Sequence, residues 1–278
     1  MNLKKTFNGK MAIVCGGSRG IGKAVAIEII KNGGSVCIIA RDKKTLKNAM
    51  EEINDHRLKH TQTVDLISCD TSSINKLKPL LQKYIKKHGV PDFLINCVGY
   101  AYPQYIENLH MEDFKKNMDI NYYGQLAPIL VLLPYFMKKG GGYIVNCSSV
   151  SGYMGLMGYS TYTPTKFAIV GLSESLRHEL KPYNIEFSVL YPPDTDTPGF
   201  ENENKTKPEE LSIMSEGGGL LPSEKVAKKL LAGIARKKFY ILPGQAGLLW
   251  RITRYLPGIA HMIMDSEYRK ARKKSGKP

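Results

Sequence analysis

Met11-Ala12-Ile13-Val14-Cys15 runs directly into Gly16-Gly17-Ser18-Arg19-Gly20-Ile21-Gly22, and the chain then continues as KAVAIEII. An apolar, β-rich run is followed by a glycine turn, a helix-patterned stretch, and a second apolar run, Ser35 to Ala40. A glycine-rich turn alone is common, but between a strand and a helix it reads as the phosphate-binding turn of a dinucleotide site. Gly16 makes the tight turn, Gly20 lets backbone approach a pyrophosphate, and Gly22 allows the helix to pack closely on the strand. Ser18, Arg19 and Ile21 complete the turn, and the helix start offers free N–H groups to the phosphates.

Working outward, the same alternation continues. β-rich runs are expected at Thr63 to Cys69, Asp92 to Asn96, Tyr143 to Cys147, Ile185 to Tyr191 and Phe239 to Leu242. Helical stretches such as Lys43 to Leu58 and Ile74 to Lys87 lie between them. Runs such as MAIVC, VCIIA and YIVNC are apolar almost throughout, which suits parallel strands covered on both faces. Alternating strands and helices make βαβ units. The expected fold is α/β, a doubly wound parallel sheet of about seven strands with helices on both faces. One catalytic domain is expected over residues 1–241, followed by an apolar and basic extension over 242–278. Residues 192–222 hold Pro, Asn, Gly and charge without a β-run. Lying after the sixth strand, they form a candidate substrate lid, since ligands bind beyond the carboxyl ends of such strands.

With 42% hydrophobic residues, the 278-residue chain can bury a large core. Cys15, Cys37, Cys69, Cys97 and Cys147 sit in or beside apolar runs with no CxxC spacing, so core residues in a reducing, cytoplasmic setting are expected, and no metal site. No run reaches the roughly 18 apolar residues of a spanning helix. The 40 Lys+Arg against 25 Asp+Glu give a net charge of +15, which points to an anionic partner such as nucleic acid, a phosphorylated cofactor or an acidic membrane surface. No base-stacking motif or helix-turn-helix pattern supports nucleic acid.

The second strand ends at Arg41, where an NAD site usually carries an acidic residue. A guanidinium suits a 2′-phosphate, with Arg19 as a second cation, so NADPH/NADP+ is the expected cofactor; Asp42 argues the other way. Asp70, closing the third strand, is placed to accept from an adenine amino group, or else to cap the next helix. Asn96 and Gly99 flank a small-residue turn after the fourth strand that lets backbone run past the cofactor.

After the fifth strand come Ser148-Ser149, then Tyr162 thirteen residues beyond Ser149, and Lys166 four residues further. Tyr162 and Lys166 at i and i+4 face the same way, and an ammonium beside a phenol is expected to lower its pKa. That makes Tyr162 a proton donor and acceptor, with a serine holding the same oxygen. Pro164 falls in a first helical turn, where proline is tolerated.

Together GGSRGIG, NCVG and NSS…YTPTK resemble the short-chain dehydrogenase/reductase family over roughly residues 8–237. The resemblance implies Ser149 (with Ser148 as the alternative), Tyr162 and Lys166 as catalytic residues, and Asn121, in MDINYYG, as the residue completing a proton relay. It also implies cofactor contacts from Tyr162, Lys166, Pro192 and Thr197, and a homo-oligomer. The segment KPYNIEFSVLYPPDTDTPGF with NKTKPEE is similar to the 3-ketodihydrosphingosine (3-dehydrosphinganine) reductase branch. That implies reduction of a 3-keto group on a long-chain lipid amino-ketone. A reductase of compact ketones such as steroids or retinoids, and a non-catalytic NADP(H)-binding protein, are the rival readings. The tail carries Trp250, Tyr255, Arg251 and Arg254 among apolar residues and ends in RKARKKSGKP. It reads either as a peripheral contact with a membrane surface or as a helix packed on protein.

Overall fold

The computed structural model describes residues 3–215 and 219–276; residues 216–218 of the lid and 277–278 of the tail lie outside the described residues. Among the described residues nine strands are formed, in chain order: β1 (Met11–Cys15), β2 (Ser35–Ala40), β3 (Val64–Ser68), β4 (Phe93–Asn96), β5 (Gly142–Cys147), β6 (Ile185–Leu190), β7 (Thr195–Asp196), β8 (Leu221–Pro222) and β9 (Tyr240–Ile241). Seven of them make one sheet in the order β3-β2-β1-β4-β5-β6-β9, every pairing parallel. The expected strands are all present, several trimmed by one or two residues at their ends, where ladder bonds stop.

Burial explains the apolar runs. Ile13, Val14, Ile38 and Ile39 are fully buried, because neighbours on β1 and β2 point to opposite faces and both faces are covered. Each such side chain contributes about 1.5–3 kcal/mol. One face carries the helices Gly20–Lys31 and Ser223–Ala235; the other carries Ile74–His88 and Gly124–Lys139. The short helix Leu3–Phe7, absent from the sequence expectations, sets Phe7 into the first of these cores, its ring 5.1 Å from that of Phe93. All five cysteines are free, and Cys97 alone is not fully buried.

Strand order reverses between β1 and β4, so the chain leaves their carboxyl ends in opposite directions and opens a crevice there. The segment 192–222, the candidate lid and called the lid below, contributes to the wall of the cavity at this end of the sheet. Its expected lack of β-structure is corrected: β7 and β8 pair in parallel at the two ends of the segment, clamping it shut like a drawstring, with helices Pro198–Asn204 and Glu209–Ser215 between them. Thr195 and Asp196 were too short a β-signal to register in a proline-rich stretch.

The tail forms helices Ala246–Tyr255 and Pro257–Lys274, and the second packs against lid helix Glu209–Ser215. Tyr153 Oη donates to the Ala246 carbonyl at 3.0 Å. Trp250 turns inward, its ring 5.3 Å from that of Tyr240. Among the described residues, no helix is long and apolar enough to cross a membrane.

Candidate active site

A cavity of about 1130 Å³ opens over the β1/β4 crevice and runs under the lid to the tail. It exceeds the usual volume of a single-ligand pocket and has room for a dinucleotide and a second molecule. Of the residues singled out in the sequence, Gly16, Ser18, Arg19, Gly20, Ile21, Gly22, Arg41, Asp70, Gly99, Ser149, Tyr162, Lys166, Pro192 and Thr197 line it.

The glycine turn is built by close approach. A Cβ on Gly22 would overlap the Gly16 carbonyl oxygen and lie 2.8 Å from its carbon. At Gly20, φ is +51° and a Cβ would stand 2.8 Å from Thr197 Cγ2, so the lid seats directly on the turn. Thr197 in turn caps its own short helix, Oγ1 accepting from Phe200 N at 3.1 Å. The helix after the turn carries no acidic residue in its first turn, and its N-terminal N–H groups face the cavity end.

At the end of β2, Arg19 Nη2 donates to Thr45 Oγ1 at 2.9 Å, and Arg41 is exposed beside it. Asp42 lines the cavity too, with one carboxylate oxygen engaged by Thr45. Its carboxylate accepts from Thr45 N at 2.7 Å and caps helix Lys43–Asn54, and these Thr45 hydrogen bonds hold its pKa below the ordinary value. The acidic residue that argued for a ribose contact thus has one oxygen engaged at a helix start, and it stands at the rim with two guanidinium groups. Asp70 Oδ1 accepts from Ser72 N and Oγ at 3.0 and 2.8 Å, a local turn, while the next helix begins after Ser73, whose side chain makes no capping bond.

The catalytic candidates converge from three elements. Tyr162 stands immediately before helix Thr163–Glu179, with Pro164 in its first turn, and Lys166 N bonds the Tyr162 carbonyl at 3.2 Å. Lys166 is almost wholly buried; its Nζ donates to the Cys147 carbonyl at 3.0 Å and lies 5.3 Å from the centre of the Tyr162 ring. The two serines differ. Ser149 is near enough to the Tyr162 hydroxyl to pull its pKa down, and its Oγ accepts from Ser151 N at 3.2 Å, whereas Ser148 Oγ turns back to the Lys166 carbonyl at 3.0 Å.

One electrostatic expectation is reversed. Burial first, and then the charge of Glu203, push the Tyr162 phenol above its ordinary range, with the Ser149 bond pulling the other way. Lys166 does not offset this, since burial lowers its own pKa and its ammonium is directed at the Cys147 carbonyl.

Two residues fall outside the cavity wall. Asn96 is fully buried beneath it, Nδ2 donating to Asn146 Oδ1 at 2.9 Å, so its side chain serves a buried polar ladder that Asn146 extends to Ser173. Asn121 sits in a π-helical turn, Asp119–Tyr123, a distortion that often marks functional positions. Its Oδ1 accepts from Tyr100 N at 2.7 Å and its Nδ2 donates to Tyr100 O at 2.8 Å. Gly99 lies between it and the lysine: a Cβ there would be 3.6 Å from Lys166 Nζ and 3.8 Å from Asn121 Oδ1. Sequence reasoning missed Tyr159, whose ring centre is 5.6 Å from that of Tyr162, and Glu203, which accepts a hydrogen bond from the Tyr159 hydroxyl. Neither belongs to a motif.

The short chain dehydrogenase family model matches residues 10–208. Among curated proteins, a 3-ketodihydrosphingosine reductase of Dictyostelium discoideum is 41% identical, covering 84% of this chain and 75% of its own. A 3-dehydrosphinganine reductase of Danio rerio is 39% identical over 84% and 70%, and a 3-ketodihydrosphingosine reductase of Mus musculus 38% over 87% and 73%. Among solved structures, a short chain dehydrogenase/reductase from Burkholderia phymatum, in complex with NAD, superposes with a TM-score of 0.76 at 23% identity, covering 87% of this chain and 91% of that one. Levodione reductase gives 0.75 at 21%, over 82% and 90%. A glycine turn at the first strand end, a serine and a Tyr-Lys pair on one cavity wall, and this match over most of its length together place the chain in the short-chain dehydrogenase/reductase family.

Proposed function

We propose that this chain is an NADPH-dependent oxidoreductase that reduces the 3-keto group of 3-ketodihydrosphingosine to the secondary alcohol of dihydrosphingosine. The observation that carries the reading is the Ser149, Tyr162 and Lys166 set on the wall of a cavity whose far end is apolar. Leu211 and Met214 from the lid, and Leu248, Leu249, Ile252 and Met264 from the tail, line that end and suit a long acyl chain.

The glycine turn would hold the pyrophosphate, Arg19 and Arg41 the 2′-phosphate, and Thr197 and Pro192 the nicotinamide end, which supplies the hydride. Ser149 donates a hydrogen bond to the substrate carbonyl oxygen and fixes it beside Tyr162. As the carbonyl carbon becomes tetrahedral, the Tyr162 hydroxyl gives its proton to that oxygen. A phenol raised by burial is fully protonated at neutral pH, the form that reduction requires. Lys166 and Asn121 stand behind it for the return of the proton, and Lys166 keeps positive charge near the phenolate that is left.

The outer face of the tail supports peripheral contact with an anionic membrane surface. Tyr255, Leu256 and Met262 are each more than half exposed, with Arg251 and Arg254 beside them and eight Lys/Arg against two acids in residues 251–278. A lipid ketone then reaches the cavity from the leaflet. Exposed Leu130 and Phe167, on helices Gly124–Lys139 and Thr163–Glu179, support a homo-oligomer formed through those helices.

The test is oxidation of NADPH with 3-ketodihydrosphingosine in detergent micelles, beside a compact hydrophobic ketone and an NADH control. Turnover of the long-chain amino-ketone with NADPH is expected. Turnover of the compact ketone alone would refute the substrate and leave the family.

A further inference from the structure

The lid brings two carboxylates into the same cavity as Tyr162. Asp194 follows β6 and Glu203 lies on helix Pro198–Asn204, and both line the cavity wall. They are close enough that the charge of each acts on the Tyr162 phenol. Glu203 is held by the Tyr159 hydroxyl and by Lys207, whose Nζ stands 3.9 Å from Glu203 Oε1 and 4.4 Å from the centre of the Phe200 ring. Among the described residues, no hydrogen bond reaches the Asp194 carboxylate.

This arrangement is costly for the protein alone. Burial raises the pKa of both Asp194 and Glu203 above the ordinary carboxylate range; Lys207 alone opposes it at Asp194, while at Glu203 the Tyr159 hydrogen bond and then Lys207 oppose it. Two carboxylates facing one ammonium leave a negative charge without a matching cation. Lys207 shows what the pair accepts: an ammonium group already rests against Glu203.

A molecule that brings its own ammonium to this point would settle the charge. The substrate assigned above carries an amino group on the carbon next to its ketone, so an oxygen placed at Tyr162 sets that group beside the lid carboxylates. Resting on that substrate reading, we propose that Asp194, with Glu203 as second acceptor, receives the ammonium adjacent to the ketone and so selects long-chain amino-ketones over plain long-chain ketones. Glu203 keeps its place through Tyr159 and Lys207; Asp194 makes the open contact. The pair is a specificity device and takes no part in the hydride or proton transfer.

The test compares wild type, Asp194→Asn and Glu203→Gln on two substrates in the same micelles: 3-ketodihydrosphingosine and the ketone of equal length lacking the amino group. Asp194→Asn is expected to lower kcat/KM for the amino-ketone about 10- to 100-fold, the loss that follows removal of a charge-assisted hydrogen bond. For the plain ketone it should stay within about threefold, with the binding of NADPH alone unchanged. Glu203→Gln, whose amide oxygen can still accept from Tyr159, should shift selectivity in the same direction by less. An equal fall on both substrates, or no fall on either, in both variants would overturn the assignment while leaving the substrate reading intact. A wild-type enzyme inert toward the amino-ketone but active on the plain ketone would overturn the substrate reading and this inference with it.

Discussion

Replacing Tyr162 by Phe removes one hydroxyl and leaves the ring, and the structure allows its consequences to be separated. The hydroxyl lies near Ser149 in a buried setting that already penalises its ionised form. Losing one hydrogen-bonding hydroxyl costs about 0.5–1.5 kcal/mol, offset in part because a buried polar atom is also removed. The expected change in stability is therefore below about 1 kcal/mol, or under about 4 °C in Tm for a chain of this size. The proton that reduction needs is lost altogether. A positioned general acid contributes about 10²- to 10⁴-fold, so kcat should fall by that factor, equivalent to about 3–5 kcal/mol on the barrier. Cofactor affinity should stay within about twofold, since the phosphate end is held by the glycine turn. The assay pairs NADPH oxidation with NADPH binding, read by nicotinamide fluorescence, and a melting curve. Turnover within threefold of wild type would refute the role given to Tyr162. A melting point lowered by more than about 10 °C would show that the residue acts through the fold.

Arg41→Ala should raise the KM for NADPH about 10- to 100-fold and leave that for NADH unchanged, by loss of a charge-assisted phosphate contact; an equal rise for both cofactors would contradict 2′-phosphate recognition. Gly22→Ala must displace the Gly16 carbonyl, so a loss of about 1–3 kcal/mol and a fall of about 2–12 °C in Tm are expected, together with weaker cofactor binding, measured by titration. Leu256→Asp combined with Ile259→Asp should cut sedimentation with anionic vesicles at least about tenfold, since each side chain forfeits its apolar transfer energy, while turnover in micelles persists. Unchanged vesicle binding would show that the tail face has another use.

How far the sequence carried the reading depends on how local each signal is. β1 and β2 are apolar nearly throughout and the turn between β1 and its helix is marked by glycine, so strand, turn and helix are all specified within about twenty residues. The Tyr162–Lys166 spacing works because both residues belong to one helix start. Arg41 and Asp42 were legible as residues but not as a pair: the hydrogen bonds to Thr45 engage one Asp42 oxygen at a helix start, which no local pattern announces. Asn96 looked like a wall residue from its place after β4, yet its side chain points into the Asn146 ladder, because successive side chains of a strand end alternate faces.

By itself, then, the sequence determined the βαβ frame, the glycine turn and the placing of Tyr162 and Lys166 at one helix start, because each is written in neighbouring residues whose geometry the backbone imposes. Tertiary structure alone decided what surrounds Tyr162. Glu203 reaches Tyr159 from 44 positions away in the chain, and the lid holding it is fixed by the pairing of β7 with β8 and by the tail helix packed on it. Those contacts also decided the phenol's electrostatics, since burial and a distant carboxylate outweigh a lysine one helical turn away. Charge and solvent act through space, and the space around this tyrosine exists only once the lid has closed over the sheet.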